Sequence, residues 1–199
     1  EAKCNLPLLG GFNISNALAV ICSLCALNHP FSATLAAVEK LKPVSGRMEK
    51  LSYPGYPSIV IDYAHTPDAL EKALSAIREH CQEKIWVVFG CGGNRDRGKR
   101  PEMAKIAEQY ADHVILTQDN SRLESIEQIF ADTVAGFKNA KNIHIEADRS
   151  KAIEFALSHA DKNDCILLAG KGHETYIDIG GKKTHFDERE IVKNFIEGK

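Results

Sequence analysis

Ile85-Trp86-Val87-Val88-Phe89-Gly90-Cys91-Gly92-Gly93-Asn94-Arg95-Asp96-Arg97-Gly98-Lys99-Arg100 sets the grammar of the chain. Five apolar residues in a row read as a strand buried on both faces; the glycines that follow open a turn, and 100–110 continues as a helix. The same order recurs on either side. Candidate strands cover 49–53, 58–61, 85–89, 113–117, 143–146 and 165–169, with helical stretches at 68–80, 100–110, 126–137, 151–159 and 188–196. Short apolar strands alternating with helices predict an α/β fold, a mostly parallel sheet with helices on both faces. Around 176–186, Ile179-Gly180-Gly181-Lys182 predicts a turn between two short strands that form an antiparallel edge.

Upstream the pattern differs. Residues 13–42 read as two helices, the first capped by Asn13 or Ser15, the second by Ser32, with a break at Asn28-His29-Pro30. Pro43-Val44-Ser45-Gly46 reads as a linker. These helices have no strands of their own to pack on, so 1–44 is expected to be the end of one domain and 45–199 the next.

The 199 residues are 44% hydrophobic and 26% charged, a globular composition. No apolar run is long enough to span a bilayer, and a net charge of -2 makes no electrostatic case for nucleic acid. The opening Glu1-Ala2-Lys3-Cys4 has neither an initiator Met nor a signal-peptide pattern, so a boundary inside a longer protein is expected. Cys22 and Cys25 form a C-x-x-C, but on an apolar helix without a second ligand pair. These two are read as small buried thiols, and all six cysteines fit a reducing cytoplasm.

In a parallel sheet, ligands gather beyond the carboxyl ends of the strands. The loops expected there are Asp62-Tyr63-Ala64-His65-Thr66-Pro67, Gly90–Arg100, Gln118-Asp119-Asn120-Ser121-Arg122 and Gly170-Lys171-Gly172-His173-Glu174. Gly93 to Lys99 matches seven positions of a P-loop, yet the eighth, where Ser or Thr would hold magnesium, is Arg100. Gly90-Cys91-Gly92 opens like a dinucleotide fingerprint, but Arg95 takes the third glycine's place. What remains is a loop carrying Arg95, Arg97, Lys99 and Arg100. It reads equally as a site for an anion such as a carboxylate or as a solvated basic loop. Asp119 beside Arg122 has the polarity to hold the ammonium and carboxylate of an amino acid. By itself His173 could be a core histidine, but its flanking glycines favour a strand-end loop, and His65 could merely terminate a strand before the next helix.

Phe12-Asn13-Ile14-Ser15-Asn16, Gly46-Arg47-Met48-Glu49, the Asp62–Pro67 loop, the Gly90–Arg100 loop and Gly170–Glu174 occur in that order. Together they resemble the Mur ligase family, most closely its UDP-N-acetylmuramoyl-tripeptide synthetase branch, over essentially the whole chain. The resemblance implies that 1–44 ends a central ATPase domain and that 45–199 is a Rossmann-like carboxyl-terminal domain. It implies ATP and magnesium as cofactors, with Asn16 on adenine, Arg47 on the phosphates, Asp62 on the ribose and His65 near the nucleotide. It places a diamino acid on Arg95, Asp119, Asn120, Ser121, Arg122, Gly170 and Glu174. It supplies neither a catalytic residue nor a metal ligand from this chain.

The family phosphorylates the D-glutamate carboxylate of UDP-N-acetylmuramoyl-L-alanyl-D-glutamate, and an incoming amine then displaces phosphate. Asp-Asn-Pro-Arg is the usual motif in members that add meso-diaminopimelate. Here Ser121 stands where that pattern has Pro, while Arg122 is kept. Diaminopimelate has a distal carboxylate that lysine lacks, so Arg122 implies meso-diaminopimelate. A lysine-adding ligase of the same family and a non-catalytic amino-acid-binding module are the alternatives. The chain alone is expected to be a monomer without ligase activity, and neither nucleic acid nor membrane is an expected partner.

Overall fold

The computed structural model describes residues 2–139 and 143–198. The elements, in order, are α1 (Gly11–Ala26), α2 (Phe31–Val38), β1 (Glu49–Leu51), β2 (Ser58–Asp62), α3 (Pro67–Arg78), β3 (Ile85–Phe89), α4 (Lys99–Tyr110), β4 (His113–Leu116), α5 (Ile126–Val134), β5 (Ile143–Ile145), α6 (Arg149–His159), β6 (Cys165–Ala169), β7 (Tyr176–Ile179), β8 (Lys182–His185) and α7 (Glu188–Ile196). Six strands make one sheet in the order β1-β2-β6-β3-β4-β5. All its neighbours are parallel except β1, which runs antiparallel to β2 with Glu49 opposite Ile61.

Strand alternation sorts the core into two layers. Ile85, Val87 and Phe89 point to a cluster with Leu70, Leu74 and Ile77 of α3 and Met103 and Ala107 of α4. Trp86 and Val88 point the other way, to Ile153, Ala156 and Leu157 of α6 and Val192 of α7. Helix starts follow their capping residues. Thr66 Oγ1 accepts from Ala69 N with Pro67 in the first turn, while Asp148 and Asp187 cap α6 and α7.

Three expectations change. The hairpin β7–β8 is antiparallel but forms a separate two-stranded sheet, and β1 is the antiparallel edge of the main one. Its Arg122↔Ile179 bridge ties it to the loop after β4 instead. The caps of the first two helices are backbone features: α1 begins after Gly10, at φ 89, which places Asn13 and Ser15 inside it, and α2 begins at Phe31, one residue before Ser32. Cys22 is exposed and Cys25 half-buried, because most of α1 faces outward; Cys81 and Cys165 are the buried thiols. No helix among the described residues is long and apolar enough to cross a membrane.

Candidate functional site

Since β2, β6, β3 and β4 are consecutive in the sheet, the loops leaving their carboxyl ends are neighbours. They enclose a cavity of about 350 Å³ whose wall includes Tyr63, His65, Arg95, Asp119, Arg122 and Glu174. Two glycines make the approach possible. Gly93 donates its N–H to Asn120 O, and a Cβ on Gly93 would fall 1.9 Å from Ser121 O, so no other residue fits between these loops. Gly170 has φ +114, and a Cβ there would press to 2.7 Å on Asp119 Oδ2.

The basic loop divides. Arg100, expected as one of its anion-binding forks, is only 1% exposed and donates to both oxygens of Glu124 and to Asp132. Arg97 is likewise bonded to Asp132. Both are bolts between this loop and α5, because acidic partners from 124 and 132 fold beneath them. Arg95 and Lys99 line the cavity, and Arg95 has no hydrogen bond or ion pair among the described residues. Arg122, at φ 52, donates Nη1 to Gly93 O at 2.8 Å and to Asn120 O at 3.2 Å, which fixes the guanidinium in the wall.

Two carboxylates line the same cavity. Glu174 Oε2 accepts from Asn120 Nδ2 at 2.9 Å and from Lys171 Nζ at 3.2 Å. Asp119 Oδ1 accepts from Asn120 N. Glu174 Oε1 and Asp119 Oδ2 accept no hydrogen bond among the described residues. Lys171, whose side chain is 0% exposed, lies 3.9 Å from Asp119 Oδ1, and burial pushes its ammonium below the ordinary value against the pull of Asp119 and Glu174. Of the expected residues, Arg95, Asp119, Asn120, Arg122, Gly170 and Glu174 converge here, while Ser121 is buried behind the wall and does not line the cavity.

The residues assigned to nucleotide separate. Arg47 and Asp62 line a second cavity of about 380 Å³ with Asn13, Lys42 and Lys72. Asp62 accepts from Met48 N and Ala64 N, each at 2.8 Å, and burial pushes its carboxyl upward. Arg47 lies over the Tyr63 ring, 4.6 Å from its centroid. Asn16 is exposed on α1, donating to Asn13 Oδ1 at 3.3 Å, and lines neither cavity. His65 belongs to the rim of the first cavity, its Nδ1 paired with Tyr63 O at 2.8 Å. Tyr63 and Lys171 were not singled out from sequence. Neighbouring a candidate motif residue was the one signal available for either.

A mostly parallel sheet thus carries at its strand ends one cavity lined by both guanidinium and carboxylate groups, and a second cavity carries Arg47 and Asp62. The family model described as Mur ligase, glutamate ligase domain matches residues 46–172, and the chain belongs to the Mur ligase family. It is 54% identical over 191 residues to the UDP-N-acetylmuramoyl-L-alanyl-D-glutamate–2,6-diaminopimelate ligase of Haemophilus influenzae, covering 96% of this chain and 39% of that protein. The ligase of the same name from Vibrio cholerae is 50% identical over 197 residues, 99% of this chain and 40% of that one. A solved structure of a ligase of that name superposes with a TM-score of 0.77 at 41% identity, over 98% of this chain and 40% of that chain. A folylpolyglutamate synthase from Thermotoga maritima, at 20% identity and TM-score 0.66 over 85% of this chain and 38% of its own, shares the fold. The chain thus spans about 40% of the length of the diaminopimelate ligases it matches.

Proposed function

We propose that the chain is the amino-acid-reading part of an ATP-dependent ligase that joins meso-diaminopimelate to UDP-N-acetylmuramoyl-L-alanyl-D-glutamate. One observation carries the reading: Arg95, Arg122, Asp119 and Glu174 all line a single cavity. Guanidinium groups suit carboxylates, and carboxylate oxygens without a protein partner suit an ammonium. The distal centre of meso-diaminopimelate carries one of each; lysine brings only the ammonium. The names of the relatives support the same substrate.

ATP would supply the phosphoryl group that turns the acceptor carboxylate into an acyl phosphate, releasing ADP, and the incoming amine would then displace phosphate. The second cavity fits one end of such a nucleotide, since Arg47 is exposed and Asp62 is locked by two backbone N–H groups. Magnesium in such sites is held by one or two carboxylates together with the phosphates, and the reading assigns it to other parts of the longer enzyme. This chain's own residues bind and orient the diamino acid, and orientation lowers the barrier by making the encounter effectively intramolecular. The reading is of a cytoplasmic monomer, and free cysteines at all six positions support that compartment.

The test is a ligation assay on the full-length enzyme with meso-diaminopimelate and L-lysine. The expected result is a strong preference for meso-diaminopimelate that Arg122→Ala reduces by tens- to hundred-fold, the worth of roughly 1.5–3 kcal/mol for a charge-assisted bond. A preference for lysine in the wild type would sink the assignment. Residues 1–199 alone are expected to show no turnover.

A further inference from the structure

We propose that Lys171 is a positioning residue: its buried ammonium, together with Asn120, grips Asp119 and Glu174 from behind and leaves one oxygen of each for the diamino acid's ammonium. The inference rests on reading the cavity as the amino-acid site. Lysine side chains ordinarily run out to water, and burying one is costly unless it is paired. Lys171 is fully buried and does not line the cavity, although Asp119, Asn120 and Glu174 do.

Its partners are all site residues. Nζ lies 2.6 Å from Asn120 Oδ1, 3.2 Å from Glu174 Oε2 and 3.9 Å from Asp119 Oδ1, with the Tyr176 ring 5.4 Å away on another side. Arg149 of α6 and Glu188 of α7 add one positive and one negative charge nearby. Asn120 is a bracket in the same network: Oδ1 also accepts from Asp178 N at 2.9 Å, which fills both its lone pairs, and one N–H of Nδ2 donates to Glu174 Oε2 at 2.9 Å. Two carboxylates facing one cavity repel each other; a cation seated behind them offsets that repulsion without occupying the front oxygens. Preorganised carboxylates then need no rearrangement when the ammonium arrives.

The experiment measures KM for meso-diaminopimelate, ATP and the UDP-linked acceptor in the full-length ligase. Lys171→Met, similar in length but without charge or donors, is expected to raise the diaminopimelate KM by about tenfold or more, the scale of a lost charged hydrogen bond. The other two KM values are expected to stay within about twofold of wild type by that measure, and Lys171→Arg to recover part of the loss. Asn120→Asp, nearly isosteric, removes the donor to Glu174 and is expected to raise the same KM; it decides the matter if Lys171→Met does not fold. Equal rises in all three KM values, or an unshifted diaminopimelate KM in both variants, overturn the inference. A wild-type enzyme that does not use meso-diaminopimelate instead overturns the reading of the cavity, before any variant is compared.

Discussion

Arg100, part of the cavity wall, is held there by Glu124, which does not line the cavity. Glu124 receives both terminal nitrogens of Arg100 as well as Asn94 N, which pins the tip of the arginine loop. Arg100 and that backbone bond bring the Glu124 carboxyl down to about 2. A carboxylate depressed in the fold contributes stability above its unfolded value, near 4.5, and loses it as pH falls through its folded value. The loop is therefore expected to stay anchored through pH 4 and to release only toward about pH 2. An acid titration of the Asn94 amide resonance checks this: a midpoint close to 4.5 would mean that the pair does not hold the loop. Sequence could not distinguish Arg100 from Arg95, because both sit in one basic run. Burial separates them.

Among the elements, α6 and α7 act on the site from below. Arg149, at the first turn of α6, donates to Glu188 Oε1 twice, at 3.0 and 2.8 Å. It also donates to Ala169 O at the end of β6 and to Gln118 O beyond β4, the two strand ends from which Gly170 and Asp119 emerge. Both side chains are essentially fully buried. Removing one partner leaves the other charge stranded, so Glu188→Ala is expected to cost about 3–5 kcal/mol. Urea unfolding measures it, and a loss under about 1 kcal/mol would show that Arg149 finds other compensation. The hairpin β7–β8 was legible as two strands around Gly180-Gly181, but its separation from the main sheet was not. Its pairing depends on Arg122 N reaching Asp178 O, 56 residues away in sequence by subtraction of those numbers.

For the whole molecule, α1 and α2 stand apart in character. Phe12, Ile14, Leu18, Val20 and Phe31 on these helices and Leu27 just after α1 are exposed, whereas the layers on both sides of the sheet are closed. Residues 45–199 are accordingly expected to fold alone, with a single cooperative unfolding transition, since the two core clusters are almost wholly contained in them. Loss of cooperativity on deleting 1–44 would refute that boundary.

The apolar runs at Ile85–Phe89 and Cys165–Ala169 were enough to set the strands, since five consecutive buried residues suit a central parallel strand. The glycine and Arg/Asp/Glu motifs were enough to point to the loops beyond them. What local sequence could not decide is which charges within those loops pair with each other and which face the cavity. Arg97 turns to α5 and Ser121 is buried. Arg100 and Asn120 reach the cavity wall with their charge or amide already paired to Glu124, Asp132 and Lys171, while Arg95, Asp119, Arg122 and Glu174 reach it with polar atoms free among the described residues. The strand order β2-β6-β3-β4 makes that choice, because it brings together loops scattered from 62 to 174, and charges pair by distance in space rather than along the chain.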